Sequence, residues 1–526
     1  MGLKNAAIRP IRMFFTDKPA VTPSAMFKQI RLLFLIPLAS VALAQSAPNT
    51  TLALIGYNAL KTRAQPQGEL GAQIAALDSA IRVASQRGQT AEVRRLIAKG
   101  TALLNSRAWA DTNDYRQSLV LRAERVFVDP SLPYSLRLEQ TFAPSIALAG
   151  NLSARATIRR AAAVATSANG PPAEGTRALG QFADVARDLR DSPLRLELDL
   201  SGTPDGDYML EVDVADSARA LGSARMRITV LANLGARLAA LEAQAVTVTP
   251  DLRADIRYAA DYVRKVDRAV IPIGGFDLSA ELMSAEAIAA SAKAGKHPFS
   301  GRTGGFERHY LLEAAGEVMP YRVFVPSTYD GKKAMPLIVA LHGAGGTEDG
   351  FMDGYNRLLP QLAEQRGYLV ATPLGFRVDG GYGSPILGGR SGANSEQDVM
   401  QVLARMRVDY KVDPSRIYLM GHSMGGIGTW HLGAKYPDLW AALGSFSGMG
   451  FPATVARMKA IPQFVVHGDA DATVPVVRSR EMVAEMKRLG VDLRYIEVAG
   501  GNHADVVVPN LAAMFEFFDA KRRPVP

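Results

Sequence analysis

From about residue 306 to the C-terminus, short uninterrupted apolar runs alternate with segments of helical periodicity. This rhythm narrows the fold more than any other feature of the chain. Leu337–Leu341, Tyr368–Ala371 and Ile417–Met420 are continuous runs, as strands covered on both faces of a parallel sheet must be. Strand-like segments follow at Ala441–Ser445, Gln463–Val466 and Leu493–Val498, with helical patterns at 395–409, 424–436, 476–489 and 509–521. Strands and helices taken in turn predict a doubly wound, mostly parallel α/β domain over 306–526.

The first half has a different texture. Leu70, Ile74, Leu77 and Ile81 recur at the spacing of one helix face, and Val93, Leu96, Ile97 and Leu104 continue the pattern, which predicts a helical segment over 45–130. Alternation of apolar and polar residues then takes over at 135–141, 154–158, 194–200, 208–214 and 224–230. Strands of that kind predict an immunoglobulin-like β-sandwich over 131–233. The Pro204–Asp207 turn reads as a hairpin between two of its strands. Residues 234–305 are expected to be a helical linker, with the Ala-, Ser- and Gly-rich stretch Gly274–Gly305 as the join to the next domain.

The N-terminus bears on the compartment. Lys28 and Arg31, the apolar run Leu32–Leu43, and Ala42-Leu43-Ala44 before Gln45 form the pattern of a secretory signal peptide, broken by Pro37 and too short to span a membrane. Residues 1–44 are expected to be that segment, with 1–25 an upstream extension, and the mature chain to be secreted or periplasmic. The segment holds six Lys/Arg and one acid, so without it the formal net charge falls from +9 to +4. So modest a balance, with no basic run interleaved with aromatics, argues against a nucleic-acid partner. No later stretch has the length and apolarity of a membrane span. Cysteine is absent, which excludes disulfides, thiolate metal sites and cysteine nucleophiles. The acidic residues show no metal-ligand spacing, so neither metal nor cofactor is expected.

The chemistry-bearing residues lie in the second half. Gly421-His422-Ser423-Met424-Gly425 sits between a strand and a helix. In that context the turn lifts a serine hydroxyl above the sheet, and glycines two residues either side avoid crowding. A serine needs a base. His503, in a turn between the last strand and the last helix, is the best placed of the seven histidines. The base needs an anionic partner; Asp471 is the choice after the strand ending at His467, with Asp469 as the fallback. The order Ser, Asp, His is that of one serine-hydrolase fold and not the others. The glycine-rich Leu341–Gly346 segment follows a strand, so the N–H groups of Ala344 and Met424 are candidates for an oxyanion hole.

Ser395–Met400, Tyr410–Gly426, Gly428–Trp430 and Tyr436–Asp438 together resemble the secreted esterases grouped with polyhydroxybutyrate depolymerase-like and feruloyl esterase-like α/β-hydrolases. Predicted peptidases related to prolyl oligopeptidase are similar. The resemblance covers about 306–521. It implies an α/β-hydrolase fold and ester hydrolysis through an acyl-enzyme, with Ser423, Asp471 and His503 in the matching positions. It further implies an ester substrate, small or polymeric; a peptidase and a non-catalytic binding protein are the competing readings. Arg377, Tyr382 and Arg390 in the loop Phe376–Asn394, with His342 and His422 beside the glycine motifs, are candidates for shaping a substrate pocket. Trp430 and Trp440 read as core. Only a short stretch separates the strand at Ser445 from that at Gln463, leaving little chain for a lid.

Overall fold

The computed structural model describes residues 50–161, 175–271, 276–387 and 391–524. The expected signal peptide and its upstream extension, and Arg390, lie outside the described residues. Helices α1 (Thr50–Ala64), α2 (Gly68–Gln86) and α3 (Thr90–Leu104) bury Tyr57, Ile74, Leu77, Ile81, Val93, Ile97 and Leu104 against one another, largely the faces that the periodicity marks. Helix α4 (Asp111–Ser118) runs directly into β1 (Leu119–Ala123). Strand structure therefore begins inside the segment expected to be helical to 130.

Strands β2 (Phe127–Val128), β3 (Tyr134–Gln140), β4 (Leu152–Arg160), β5 (Arg177–Val185), β6 (Leu194–Leu198), β7 (Gly206–Ala215) and β8 (Ala220–Val230) complete two sheets, ordered β1-β3-β6 and β2-β8-β7-β4-β5. All pairs are antiparallel except β2 with β8. Burial alternates along β3, β4 and β7, so each presents one apolar face to a shared core. The Pro204–Asp207 turn is not a hairpin: β6 pairs with β3 in one sheet while β7 pairs with β4 and β8 in the other. The turn carries the chain between sheets, and the Asp205 carboxylate accepts the Ala232 N–H at 2.8 Å. The tight hairpin is β7–β8 instead, closed by Asp216 Oδ1 accepting the N–H groups of Ala218 and Arg219.

Helices α5 (Leu234–Ala245), α6 (Arg253–Asp267) and α7 (Leu278–Lys293) follow. The stretch expected to be a join is largely α7, capped by Asp277 accepting the Ala280 N–H, and it buries Leu282, Ala285 and Ile288. Its small residues let it pack closely rather than mark a loose connection.

The C-terminal sheet opens with two strands that the sequence reading passed over, β9 (Gly304–Leu312) and β10 (Glu317–Val325). After them come β11 (Met335–Leu341), α8 (Leu358–Arg366), β12 (Leu369–Pro373), α9 (Gly392–Asp409), β13 (Val412–His422), α10 (Met424–Lys435), β14 (Ala442–Phe446), β15 (Gln463–Gly468), α11 (Val477–Arg488), β16 (Leu493–Val498) and α12 (Val507–Asp519). The strand order is β16-β15-β14-β13-β11-β12-β10-β9. It is parallel from β16 to β12 and antiparallel at β10 and β9. Residues of β11 divide by parity. Leu337, Val339 and Leu341 join a core with α9, α10 and α11, while Ile338 and Ala340 join the opposite core with α8 and α12. This is a doubly wound α/β-hydrolase-type sheet, and β13 at its centre ends in the serine motif.

Phe518 holds α12 to the sheet: it is fully buried and stacks on Tyr418 with ring centroids 4.6 Å apart. Phe518→Ala is expected to cost about 3–5 kcal/mol of stability, measured by urea denaturation, with the chemistry of the folded fraction unchanged.

Candidate active site

Ser423 stands between β13 and α10 with φ 56° and ψ −117°. An L-residue in that region is strained, and two glycines make the conformation possible. A Cβ on Gly421 would lie 2.3 Å from the backbone of Gly425, and one on Gly425 would lie 1.9 Å from the carbonyl oxygen of Leu341. The Ser423 N–H donates to Phe446 O at 2.8 Å, so the turn is also tied to β14.

The three residues expected to act together meet. Ser423 Oγ is 2.8 Å from His503 Nε2, and His503 Nδ1 is 2.7 Å from Asp471 Oδ2. The Asp471 side chain is fully buried. Burial alone would raise its pKa, yet hydrogen bonds from His467, His503 and Val474 outweigh it and hold the carboxyl well below the usual range. Oδ1 accepts the Thr473 and Val474 N–H groups at 2.8 and 2.9 Å. Asp469, the fallback acid, instead accepts the Gly500 N–H at 2.7 Å and shapes the turn leading to His503.

Sequence reasoning missed several contributors. His467, fully buried at the end of β15, brings Nε2 to 3.1 Å from Asp471 Oδ2, the same oxygen that faces His503. Its other nitrogen is 2.6 Å from Ser479 Oγ. The signal was present as a histidine four residues before the acid. Tyr355 and Ser447, on separate segments, offered no local signal. The Tyr355 hydroxyl donates to His422 Nδ1 at 2.8 Å, His422 Nε2–H donates to His503 O at 2.8 Å, and Ser447 Oγ donates to the same carbonyl at 3.0 Å. Together they fix the backbone of His503.

Of the pocket candidates, His342 and His422 line a cavity of about 400 Å³ with Ser423, His503, Ala344 and Tyr355. Both rings are held by hydrogen bonds within the protein, His422 to Tyr355 and to the His503 carbonyl, and His342 to backbone alone. His342 places its nitrogens 2.8 Å from Gly343 O and 2.7 Å from Leu374 O, which fastens the glycine-rich loop to the end of β12. Arg377 is a correction: its guanidinium bonds to Glu317 at 2.7 Å and stacks on Phe376 at 3.8 Å, away from this cavity. Tyr382 is another. It is fully buried, donates to His342 O at 3.1 Å, and occupies the space left by Gly375 and Gly428. The aromatic ring serves the core beneath the loop, not a ligand. Trp430 and Trp440 are buried, as expected of core residues.

Gly345 N–H donates to Val378 O and Gly346 N–H to Gly343 O. Within the described residues the N–H groups of Ala344 and Met424 have no acceptor. That is the pattern required of donors reserved for a negative charge.

Residues 319–479 match the family model described as Esterase PHB depolymerase. A feruloyl esterase B from Neurospora crassa is 30% identical over 150 residues, covering 26% of this chain and 47% of that protein. A bifunctional acetylxylan esterase/xylanase from Neocallimastix patriciarum is 31% identical over 136 residues, or 26% of this chain and 19% of that one. Cutinase 2 from Thermobifida cellulosilytica is 29% identical over 123 residues, covering 22% and 44%. The chain spans less than half the length of these relatives. Over the matched segment, the motif resemblance to the polyhydroxybutyrate depolymerase-like and feruloyl esterase-like group is borne out.

Two outcomes follow from the geometry. A fluorophosphonate probe is expected to label Ser423, located by peptide mass spectrometry, and Asp471→Asn to slow labelling by roughly 10⁴-fold. Burial, partly offset by the hydrogen bond to His503, lowers the His422 pKa from 6.5 to about 4. Between those values the unfolded chain binds a proton that the folded chain refuses, so stability falls as pH drops from 6.5 toward 4. His422→Asn is expected to flatten that part of the stability–pH curve.

Proposed function

We propose that the chain is a serine carboxylester hydrolase working through an acyl-enzyme. The observation that carries this reading is the continuous relay from Ser423 Oγ through His503 to the buried Asp471, with steps of 2.8 and 2.7 Å. In this scheme His503 Nε2 takes the serine proton as Oγ attacks the ester carbonyl. Asp471 holds the other ring nitrogen in the donor tautomer and stabilises the imidazolium that forms. The oxygen that gains charge is received by the N–H groups of Ala344 and Met424, each such donor being worth about 2.7–4 kcal/mol of transition-state stabilisation. His503 then protonates the leaving alkoxide, and a water activated by the same nitrogen releases the acid and restores the serine.

The substrate proposed is an ester of plant-wall phenolics, an acetylated sugar or a polyester. The names of the relatives support that range: feruloyl esterase, acetylxylan esterase and cutinase. The connection from β14 to β15 also supports a polymeric or side-group ester. It is short and holds a single 3₁₀ segment, Pro452–Met458, with no inserted lid over the serine. Among the described residues no helix is long and apolar enough to cross a membrane. Export through the segment 1–44 completes the proposal, as does an immunoglobulin-like module over 131–233.

The test is hydrolysis of p-nitrophenyl acetate, butyrate and octanoate beside methyl ferulate, with Ser423→Ala as control. The expected result is turnover by the wild type and a loss of roughly 10⁴-fold or more in the variant. Wild type and variant equally inactive on every ester would overturn the reading.

A further inference from the structure

A second cluster lies where α7, β9 and the segment after β11 converge. Glu281 on α7 and Glu307 and His309 on β9 each offer one ligand atom, and these atoms lie within 4.8 Å of one another. Neighbouring cations are engaged elsewhere: Arg308 with Asp255 and Asp409, Arg322 with Asp349 and Asp353. Among the described residues, His309 is the basic side chain within the cluster.

His309 is oriented like a metal ligand. Asp255 Oδ1 lies 3.2 Å from Nδ1, and Asp255 is itself fixed by Arg308 and by the His309 N–H at 2.7 Å. Tyr258 stacks on the imidazole with centroids 3.9 Å apart. Nε2 is thereby turned toward Glu307 Oε1 at 3.0 Å. A buried carboxylate on one ring nitrogen with the other facing acidic oxygens is the outer-shell arrangement that sets a histidine for a cation.

Independent of these three, Glu348 is only 7% exposed, and its Oε2 is buried without a hydrogen-bond partner. An unpaired buried carboxylate oxygen is costly and calls for a partner. Its strongest charged neighbour is Glu307, with His309 also in range.

We propose that His309 Nε2 and the carboxylates of Glu281 and Glu307 form a binding site for a divalent cation, beside the unpaired buried carboxylate of Glu348. One imidazole with carboxylate oxygens suits Mn²⁺ or Zn²⁺ better than the all-oxygen shell of Ca²⁺. The ion would link α7 to β9 beside Glu348, and the Glu348 carbonyl already accepts from Thr372 Oγ1 at 2.6 Å.

The experiment uses the full chain, freed of metal with EDTA and titrated calorimetrically with Mn²⁺ and separately with Zn²⁺, with melting curves recorded for each. The expected result is saturable binding of about one ion per chain and a raised melting temperature, with affinity at least tenfold weaker in Glu281→Gln and Glu307→Gln. Circular dichroism establishes that each variant is folded before titration. Failure of the wild type to bind either ion saturably below millimolar concentration would overturn the proposal. So would folded variants that bind as tightly as the wild type.

Discussion

The close passage of Gly425 beneath the carbonyl of Leu341 is the contact on which the site depends. A single added carbon would stand 1.9 Å from that oxygen, so α10 can seat against the end of β11 only while residue 425 has no side chain. Seating α10 forces the chain at Ser423 into its positive-φ turn, a conformation costing about 1–3 kcal/mol that must be imposed from outside. Gly421 removes the second obstacle, and the bond from Ser423 N–H to Phe446 O removes the freedom to relax. The strain is held by three strands at once. The serine hydroxyl is presented by the packing of the sheet, not by a mobile loop.

His503 and Asp471 arrive on loops, and there hydrogen bonds do what packing does for Ser423. Asp471 accepts three hydrogen bonds on two oxygens, two from its own turn and one from His503, with the His467 ring nitrogen 3.1 Å away. A buried carboxylate so fully satisfied can remain ionised without solvent. It then serves as a fixed charge around which His503 is set. His422 and Ser447 clamp the His503 carbonyl from the side of β13 and β14. The serine elbow and the histidine turn are thereby referenced to the same two strands, and this keeps a distance of 2.8 Å across eighty residues of sequence.

What the sequence disclosed follows from how local each determinant is. The parallel strands announce themselves because burial on both faces demands continuous apolar runs such as Leu337–Leu341. The serine motif is legible because its glycines answer a steric demand within four residues. Strand partnership is not local, which is why the turn before β7 reads as a hairpin although β6 belongs to the other sheet. Strand β10 escaped notice because Pro320 and Arg322 interrupt the apolar pattern, and β9 because Glu307, Arg308 and His309 do. Those side chains are taken up by α6 and α7, and nothing near them in sequence reveals that. Tyr382 and Arg377 show the converse error: a polar or aromatic residue in a catalytic-side loop suggests a ligand, whereas a void at Gly375 and Gly428 or a carboxylate on β10 claims it first.

Strands β9 and β10 extend the sheet beyond its parallel part, and α6 packs against both strands. That helix buries Ile256, Tyr258, Ala259, Tyr262, Val263 and Val266. Lys265 Nζ donates to Val318 O at 3.0 Å, and the Val318 N–H donates to Asp261 at 3.2 Å, so the helix also satisfies backbone groups of β10. Without this layer, Phe306, Tyr310 and Val318, all nearly fully buried, would lose part of their cover, and Arg308 and His309 would each lose the buried carboxylate of Asp255. Helix α6 is thus part of what makes the sheet stable, not a tether to it. Its amphipathic pattern reads as a linker because its partner strands lie after it in sequence.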